Sequence, residues 1–449
     1  MKSAKLHAIS IVDRINRDWV FRLLLWTFGV VVLVFAVVPV LHSLRGTSIK
    51  DYLVWYETGQ TILHGAGLYP NPRYNKFPFM YPPPCALFLA PISALGKTGM
   101  IVVLVLINAA AWICSIIFSV YLATGRRQLP HLLLYLVPGF VVGAYVWGNF
   151  LLGQPSLLLL ALLLGAFICL QRKFQIGAGV LIALATAIKV FPVAAIVYLI
   201  YRREWIATVT LVLTLFFLIV LAPIPFRGYS LAKVELKRYA TGTLLSYDET
   251  GVGQRRGRSH SWKNQSIWGV ANRLLRHVEY DHRHGPHTPV YVNFVDLKFK
   301  TVNGIILGMA LLLGSIFIAV MPRSGFRTQE TDAIEFALLL LLILIFTPLT
   351  FGYLFAWLLY PLTVIVQRVL TEPEASKRLL GFTIAAVALL SLSIPLRIPA
   401  QAYGNTFLAT LLLFIGLAIE LWNLKRAQRA PGWIERSALD DKSAGEAGK

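Results

Sequence analysis

Apolar and polar residues fall along this chain in long blocks, without the short alternation of a half-buried strand. Nearly uninterrupted apolar runs occupy 23–41, 101–123, 131–147, 155–170, 206–222, 301–321, 334–351, 354–370, 380–395 and 405–424. A helix needs about 20 apolar residues at 1.5 Å each to cross roughly 30 Å of hydrocarbon. Each run meets or approaches that length and predicts a membrane-spanning helix. Short basic clusters separate the runs: Arg126-Arg127, Arg172-Lys173, Arg202-Arg203, Arg323 with Arg327, Lys377-Arg378 and Lys425-Arg426. Short loops rich in Lys and Arg stay on the cytoplasmic side, so these clusters mark that side.

The apolar stretch 174–201 has a basic pair before it and another after it. If it crossed once, the two pairs would lie on opposite faces. Its centre reads Ile188-Lys189-Val190-Phe191-Pro192. Proline disfavours helix at the preceding residue, and a lysine near mid-bilayer costs about 2.5–3.5 kcal/mol on insertion scales. The stretch is therefore expected to rise and return as two half-helices of about 13 residues, each reaching about 20 Å. Such short elements persist at membrane depth only where they line a protein-walled cavity. The path has twelve spans, both termini cytoplasmic, and two long extracytoplasmic loops at 42–99 and 223–300. The second loop carries 13 Lys/Arg against 6 Asp/Glu, which is compatible because long loops translocate largely regardless of charge. The first 20 residues are too polar for a signal peptide, so the first span is expected to stay as a signal anchor. Residues 1–424 read as one membrane domain and 425–449 as a polar cytoplasmic tail.

Composition agrees with the pattern. Hydrophobic residues make up 57% of the 449 and charged residues 14%, against roughly 45–50% and about 25% in soluble proteins. A soluble enzyme is excluded. The formal net charge of +21 would suit a nucleic-acid partner, but its distribution between spans gives the membrane explanation instead. The three cysteines, Cys85, Cys114 and Cys169, stand at no metal-ligand spacing.

The polar exceptions carry the candidate chemistry. Between Asp18 and Glu204 the only acidic residues are Asp51 and Glu57. If their segment is helical, Asp51 and Trp55 share a face, and a carboxylate beside aromatic rings can act as a general base. The same residues also fit an ordinary interfacial aromatic belt. Phe77-Pro78-Phe79-Met80-Tyr81-Pro82-Pro83-Pro84 predicts a rigid, non-helical lip. Gln154 opens the fourth span, where it can bond a ligand or cap the helix. Lys189 has no acidic residue near it in sequence, and a phosphate is its natural counterion. In the second loop Arg255, Arg256 and Arg258 can contact lipid phosphate, and Asn264-Gln265-Ser266 precedes an amphipathic run at Ile267–Leu275. His277, His282, His284 and His287 match no common zinc pattern. Thr347-Pro348 and Gly352-Tyr353 predict a break on the same outer side. All of these exceptions converge on one membrane face. Neither a glycine-rich phosphate loop nor a paired-carboxylate metal motif is present, so no cofactor and no metal are expected. A secondary transporter or a flippase of lipid-linked sugars shares the span number and the intramembrane lysine, although transporters pair symmetry-related breaks in their two halves and the break at Lys189 has no obvious partner of that kind.

In order along the chain, Asp51, Gly59, Gly65 and Leu68-Tyr69, Tyr81-Pro82-Pro83, Ala86-Leu87, Gly153-Gln154, Gly179 through Ala187-Ile188-Lys189, Pro192, Asn264-Gln265-Ser266, Gly269 and Arg273 resemble glycosyltransferase family 87. The resemblance extends over about residues 20–370. It implies the all-α GT-C membrane fold in a bacterial inner (plasma) membrane. It also implies an inverting, metal-independent hexosyl transfer, of mannose at the level of the family, from a polyprenyl-phosphate-linked sugar donor to a lipid or glycan acceptor of the cell envelope. Asp51 is then the catalytic base. Lys189 with Arg255, Arg256, Arg258, Asn264 and Gln265 holds the donor, and Trp55, Glu57, Tyr81, Gln154 and Tyr353 position substrate. Membrane lipids are the remaining partners, with no nucleic acid. The chain departs from the family in having Phe351 and Tyr353 where members often carry Trp and then His after the Ser/Thr-Pro pair.

Overall fold

A computed structural model describes residues 18–47, 49–71, 77–125, 131–253, 258–281 and 288–427. Arg255, Arg256, His282, His284, His287 and the tail beyond 427 lie outside them. The described chain is almost entirely helical, its one sheet a two-stranded hairpin pairing Tyr247 with Val252. The principal helices are α1 (Asp18–Leu44), α2 (Asp51–Leu63), α3 (Pro83–Ser93), α4 (Gly96–Thr124), α5 (Leu133–Leu152), α6 (Ser156–Gln171), α7 (Gln175–Ile188), α8 (Ala195–Tyr201) and α9 (Trp205–Phe216). After the second outer loop begins come α10 (Tyr229–Tyr239), α11 (Ile267–Leu275), α12 (Phe299–Val320), α13 (Gln329–Phe346), α14 (Leu359–Thr371), α15 (Lys377–Ser391) and α16 (Asn405–Ala427).

Seven helices among the described residues are long and apolar enough to cross a membrane, while α6, α7 and α8 are apolar but shorter. The reason is visible in α6. It is apolar on every side, with Leu157, Leu160, Leu163, Leu164 and Phe167 all fully or almost fully buried. It runs through the middle of the bundle, where neighbouring helices rather than lipid surround it. Phe167 stacks on Phe336 of α13 at 4.3 Å and 3°. By contrast α1 lies at the periphery, leaving Trp26 and Leu33 exposed.

The break in 174–201 occurs at the expected residue. Helix α7 ends at Ile188, Lys189 is extended at φ −145°, ψ 131°, and a 3-10 turn, Phe191–Ala194, leads into α8. A similar interruption separates α13 from α14, where a 3-10 segment, Gly352–Leu358, follows Thr347-Pro348. The proline lip is shorter than expected. Phe77 to Pro82 are non-helical, but Pro83 starts α3, because proline at the first helical position lacks only an N–H that would be unpaired anyway. Gly59 of α2 faces α3 so closely that a Cβ there would lie 2.5 Å from Ser93 Cβ.

The two long loops, 42–99 and 223–300, are fastened together. Glu235 of α10, buried, accepts the Leu68 backbone N–H at 2.9 Å and pairs with the equally buried Arg227. Arg227 also donates to the Ala66 carbonyl, and Arg238 to that of Tyr69 at 2.8 Å. At the opposite end of the bundle, buried Arg202 forks onto Glu335, which Tyr198 also bonds. Arg368 there bridges Glu330 and Glu420. Removing one partner of such buried pairs costs about 3–5 kcal/mol.

Candidate active site

Helix α2 begins at Asp51, preceded by Lys50 in a left-handed conformation at φ 52°. A carboxylate in the first turn complements the exposed N–H groups of a helix start. Two buried side chains of the first turns tie α2 to the end of α5. Tyr52 donates its hydroxyl to the Phe150 carbonyl at 2.8 Å, and Trp55 its indole N–H to the Gly153 carbonyl at 2.7 Å. Gly153 takes φ 72°, and a Cβ on it would meet the Tyr52 ring at 2.9 Å. This close approach delivers the next residue, Gln154, to the carboxyl end of Asp51.

Gln154, 2% exposed, joins the site. Its Nε2 donates to Asp51 Oδ2 at 2.5 Å. Its Oε1 accepts from the Tyr81 hydroxyl at 3.1 Å and from Lys189 Nζ at 3.1 Å. An ionised carboxylate only accepts and an ammonium only donates, so just one amide orientation satisfies all three neighbours. The Lys189 ammonium lies 4.9 Å from the Tyr353 ring centre, 5.2 Å from that of Tyr81 and 6.0 Å from that of Phe191. These ring faces stabilise a cation. Trp55 packs on Tyr81 at 4.4 Å. Burial pushes the Tyr81 phenol well above its usual range, with Tyr353 and Asp51 adding to the effect, so it stays protonated and serves as a donor.

Asp51, Trp55, Tyr81, Gln154, Lys189 and Tyr353 therefore come together from five separate stretches of chain. Glu57 does not join them. Six residues at about 100° each place it about 240° round α2 from Asp51, and it is exposed. Asn264 and Gln265 are buried with their amides turned inward. Asn264 donates to Ser259 and Pro348 carbonyls and accepts the Ser266 and Thr350 N–H groups. Gln265 donates to the Trp262 and Gln401 carbonyls. Asn264 thereby ties the loop 223–300 to the segment after α13, and Gln265 ties it to Gln401. Arg273, wholly buried, does the same through carbonyls of Ser261, Asn264, Gln401 and Ala402, and burial lowers its pKa to about 9. Arg258 is partly exposed in a short 3-10 turn.

Sequence reasoning missed Asn149, whose side chain donates to the Tyr353 carbonyl at 2.7 Å and so sets Tyr353 over Lys189. An asparagine in an apolar helix end was the available signal. It also missed an apolar groove of about 350 Å³ between α8, α12 and α13, running from Phe191, Phe346 and Pro348 to Tyr201 and Met321. Phe191 is shared between the groove and the Lys189 site.

The family model described as glycosyltransferase family 87 matches residues 79–348. That segment contains Tyr81, Gln154, Lys189, Asn264 and Gln265. It begins after Asp51 and ends before Tyr353, a narrower extent than 20–370. The chain is 24% identical over 209 residues to a polyprenol-phosphate-mannose-dependent alpha-(1-2)-phosphatidylinositol mannoside mannosyltransferase of Mycobacterium tuberculosis, covering 43% of this chain. The match spans 46% of that relative's length. No solved structure matches the chain.

Proposed function

This chain belongs to glycosyltransferase family 87, and on that premise we propose that it transfers a mannosyl residue from a polyprenyl-phosphate-linked donor to a lipid-linked or envelope-glycan acceptor. It is a multi-pass membrane glycosyltransferase. In our reading both termini are cytoplasmic, twelve segments enter the membrane, and transfer occurs on the extracytoplasmic face with inversion at the sugar.

The observation that carries this reading is the Asp51–Gln154–Lys189 constellation. A sugar on lipid phosphate already bears its leaving group. The residues need only take a proton from the acceptor hydroxyl and stabilise the phosphate that departs. Asp51 takes the proton as the acceptor oxygen bonds to the anomeric carbon. The bond from that carbon to the phosphate oxygen breaks on the other side, and the leaving polyprenyl phosphate gains negative charge beside the Lys189 ammonium. Gln154 holds base and cation in register. Tyr81 donates a hydrogen bond at the same centre, and Tyr353 caps Lys189 where relatives often have histidine. The groove beginning at Phe191 suits a prenyl chain. Arg258, with Arg255 and Arg256, supplies further positive charge in the outer loop. Asn264 and Gln265 serve the donor by fixing that loop, not by touching it.

The test is incubation of purified protein with labelled polyprenyl-phosphate mannose and a lipid acceptor extract. Covalent transfer is expected. Asp51→Asn is expected to reduce transfer by about 10²–10⁴-fold with donor binding retained. Near-normal turnover by that variant would remove Asp51 from the mechanism, and movement of donor across the bilayer without transfer would favour a flippase.

A further inference from the structure

A second polar centre lies at the other end of α6, about 24 Å from the Gln154 end at 1.5 Å per residue. Helices α6 and α8 finish there with the same hydrogen-bonding pattern. Phe174 N–H reaches the Cys169 carbonyl at 2.8 Å and Lys173 N–H that of Leu170 at 3.0 Å. Likewise Glu204 N–H reaches Leu199 at 2.9 Å and Arg203 N–H reaches Ile200 at 3.0 Å. This helix ending requires a left-handed residue, usually glycine. Helices α4 and α5 use Gly125 at φ 69° and Gly153 at φ 72°. Helices α6 and α8 instead use Lys173 at φ 61° and Arg203 at φ 58°, a conformation that strains any residue with a Cβ. Strain retained twice at one place points to a use for the side chains.

Both residues line one cleft of about 560 Å³, together with Arg172, Gln171 and the start of α13. The carboxylates in its wall are already engaged. Arg327 bonds Asp332 at 2.8 Å and reaches Glu204 at 3.5 Å, while Arg202 is held by Glu335. Arg172 donates to the Tyr121 phenol oxygen at 3.1 Å. Lys173 and Arg203 have no carboxylate partner among the described residues. Among the described residues the buried Gln171 Nε2 has no acceptor, and an unpaired buried donor is costly. Arg172, Lys173 and Arg203 with this amide donor form a site for an anion with several oxygens.

We propose that this cleft binds a phosphate group, on the membrane face opposite Asp51 and independently of the transfer reaction. Phosphate there can come from a phospholipid headgroup of the adjoining leaflet or from a soluble phosphate compound. Cationic pockets between membrane helices hold lipid headgroups in this way.

The test measures thermal unfolding of the full-length protein in detergent with two probes. One is phosphatidylglycerol, compared with phosphatidylcholine at equal mole fraction, and the other is inorganic phosphate, compared with sodium chloride at equal ionic strength. A saturable upward shift with either probe is expected, and which probe acts identifies the source. The double variant Lys173→Gly with Arg203→Gly should match or exceed the wild-type unfolding temperature without probe, because glycine relieves the strained turns. Its affinity for the active probe should fall about 25-fold, taking about fivefold per cation. If the glycine variant does not accumulate, Lys173→Asn with Arg203→Asn serves, since asparagine also tolerates the left-handed region. Absence of a shift with both probes, or an unchanged shift in the double variant, overturns the proposal.

Discussion

Replacing Gln154 with leucine tests the site at the residue that joins its parts. The side chain keeps nearly the same volume but loses three hydrogen bonds: to Asp51 at 2.5 Å, Tyr81 at 3.1 Å and Lys189 at 3.1 Å. Hydrogen bonds to charged groups contribute about 1.5–3 kcal/mol each, and two of the three are of this kind. Asp51 and Lys189 are only half-buried, so water recovers part of that loss. We expect about 2–4 kcal/mol less stabilisation of the transition state, which is about 30- to 900-fold in turnover. The assay is single-turnover transfer from labelled polyprenyl-phosphate mannose in lipid nanodiscs, with unfolding temperature as a control. Gln154→Glu sharpens the result. It keeps acceptors for Tyr81 and Lys189 but sets a second carboxylate against Asp51, so activity should fall at neutral pH. Transfer by Gln154→Leu within threefold of wild type would refute the idea that this amide organises base and cation.

Lys189→Ala should weaken donor binding by about 10- to 150-fold, the equivalent of one lost charge-assisted contact, with little change in unfolding temperature; an unchanged donor affinity argues against a phosphate at this lysine. Glu235→Ala leaves Arg227 buried and unpaired, costing about 3–5 kcal/mol, and hydrogen exchange at the Leu68 amide should accelerate; unaltered exchange there means the clamp between the two long loops is not limiting. Burial, with Arg276 and Arg273 adding, pushes the His260 imidazole down from 6.5 to about 4. The unfolded chain then binds its proton first, so stability is unaffected above about pH 6.5 and falls between there and pH 4, by about 2 kcal/mol at pH 5. His260→Asn should flatten that part of the unfolding profile, and a profile identical to wild type would exclude His260 as its source.

Much of the architecture was legible in the order of residues. Hydrocarbon thickness sets a length that each apolar run either meets or misses, and an unpaired backbone cannot face lipid, so run lengths, basic clusters and the Lys189-Pro192 break already implied a helical membrane bundle with an interrupted helix. The uneven placement of acids and amides likewise singled out Asp51, Gln154 and Lys189, because polar groups in such a chain are expensive to keep. Three-dimensional packing decided what each polar group touches. Asn264 and Gln265 look the same in sequence as Gln154, yet neighbouring carbonyls take up their amide donors, whereas Gln154 faces a carboxylate and an ammonium. Glu57 resembles Asp51 in sequence but lies on another face of the same helix. Pro83 looks like more of the lip and instead begins a helix, since only the chain around it decides whether its missing N–H is needed. Partners separated by 103 residues, as Asp51 and Gln154 are, or by 204, as Asn149 and Tyr353 are, meet only through the crossing of helices. Spacing along the chain carries no record of those crossings.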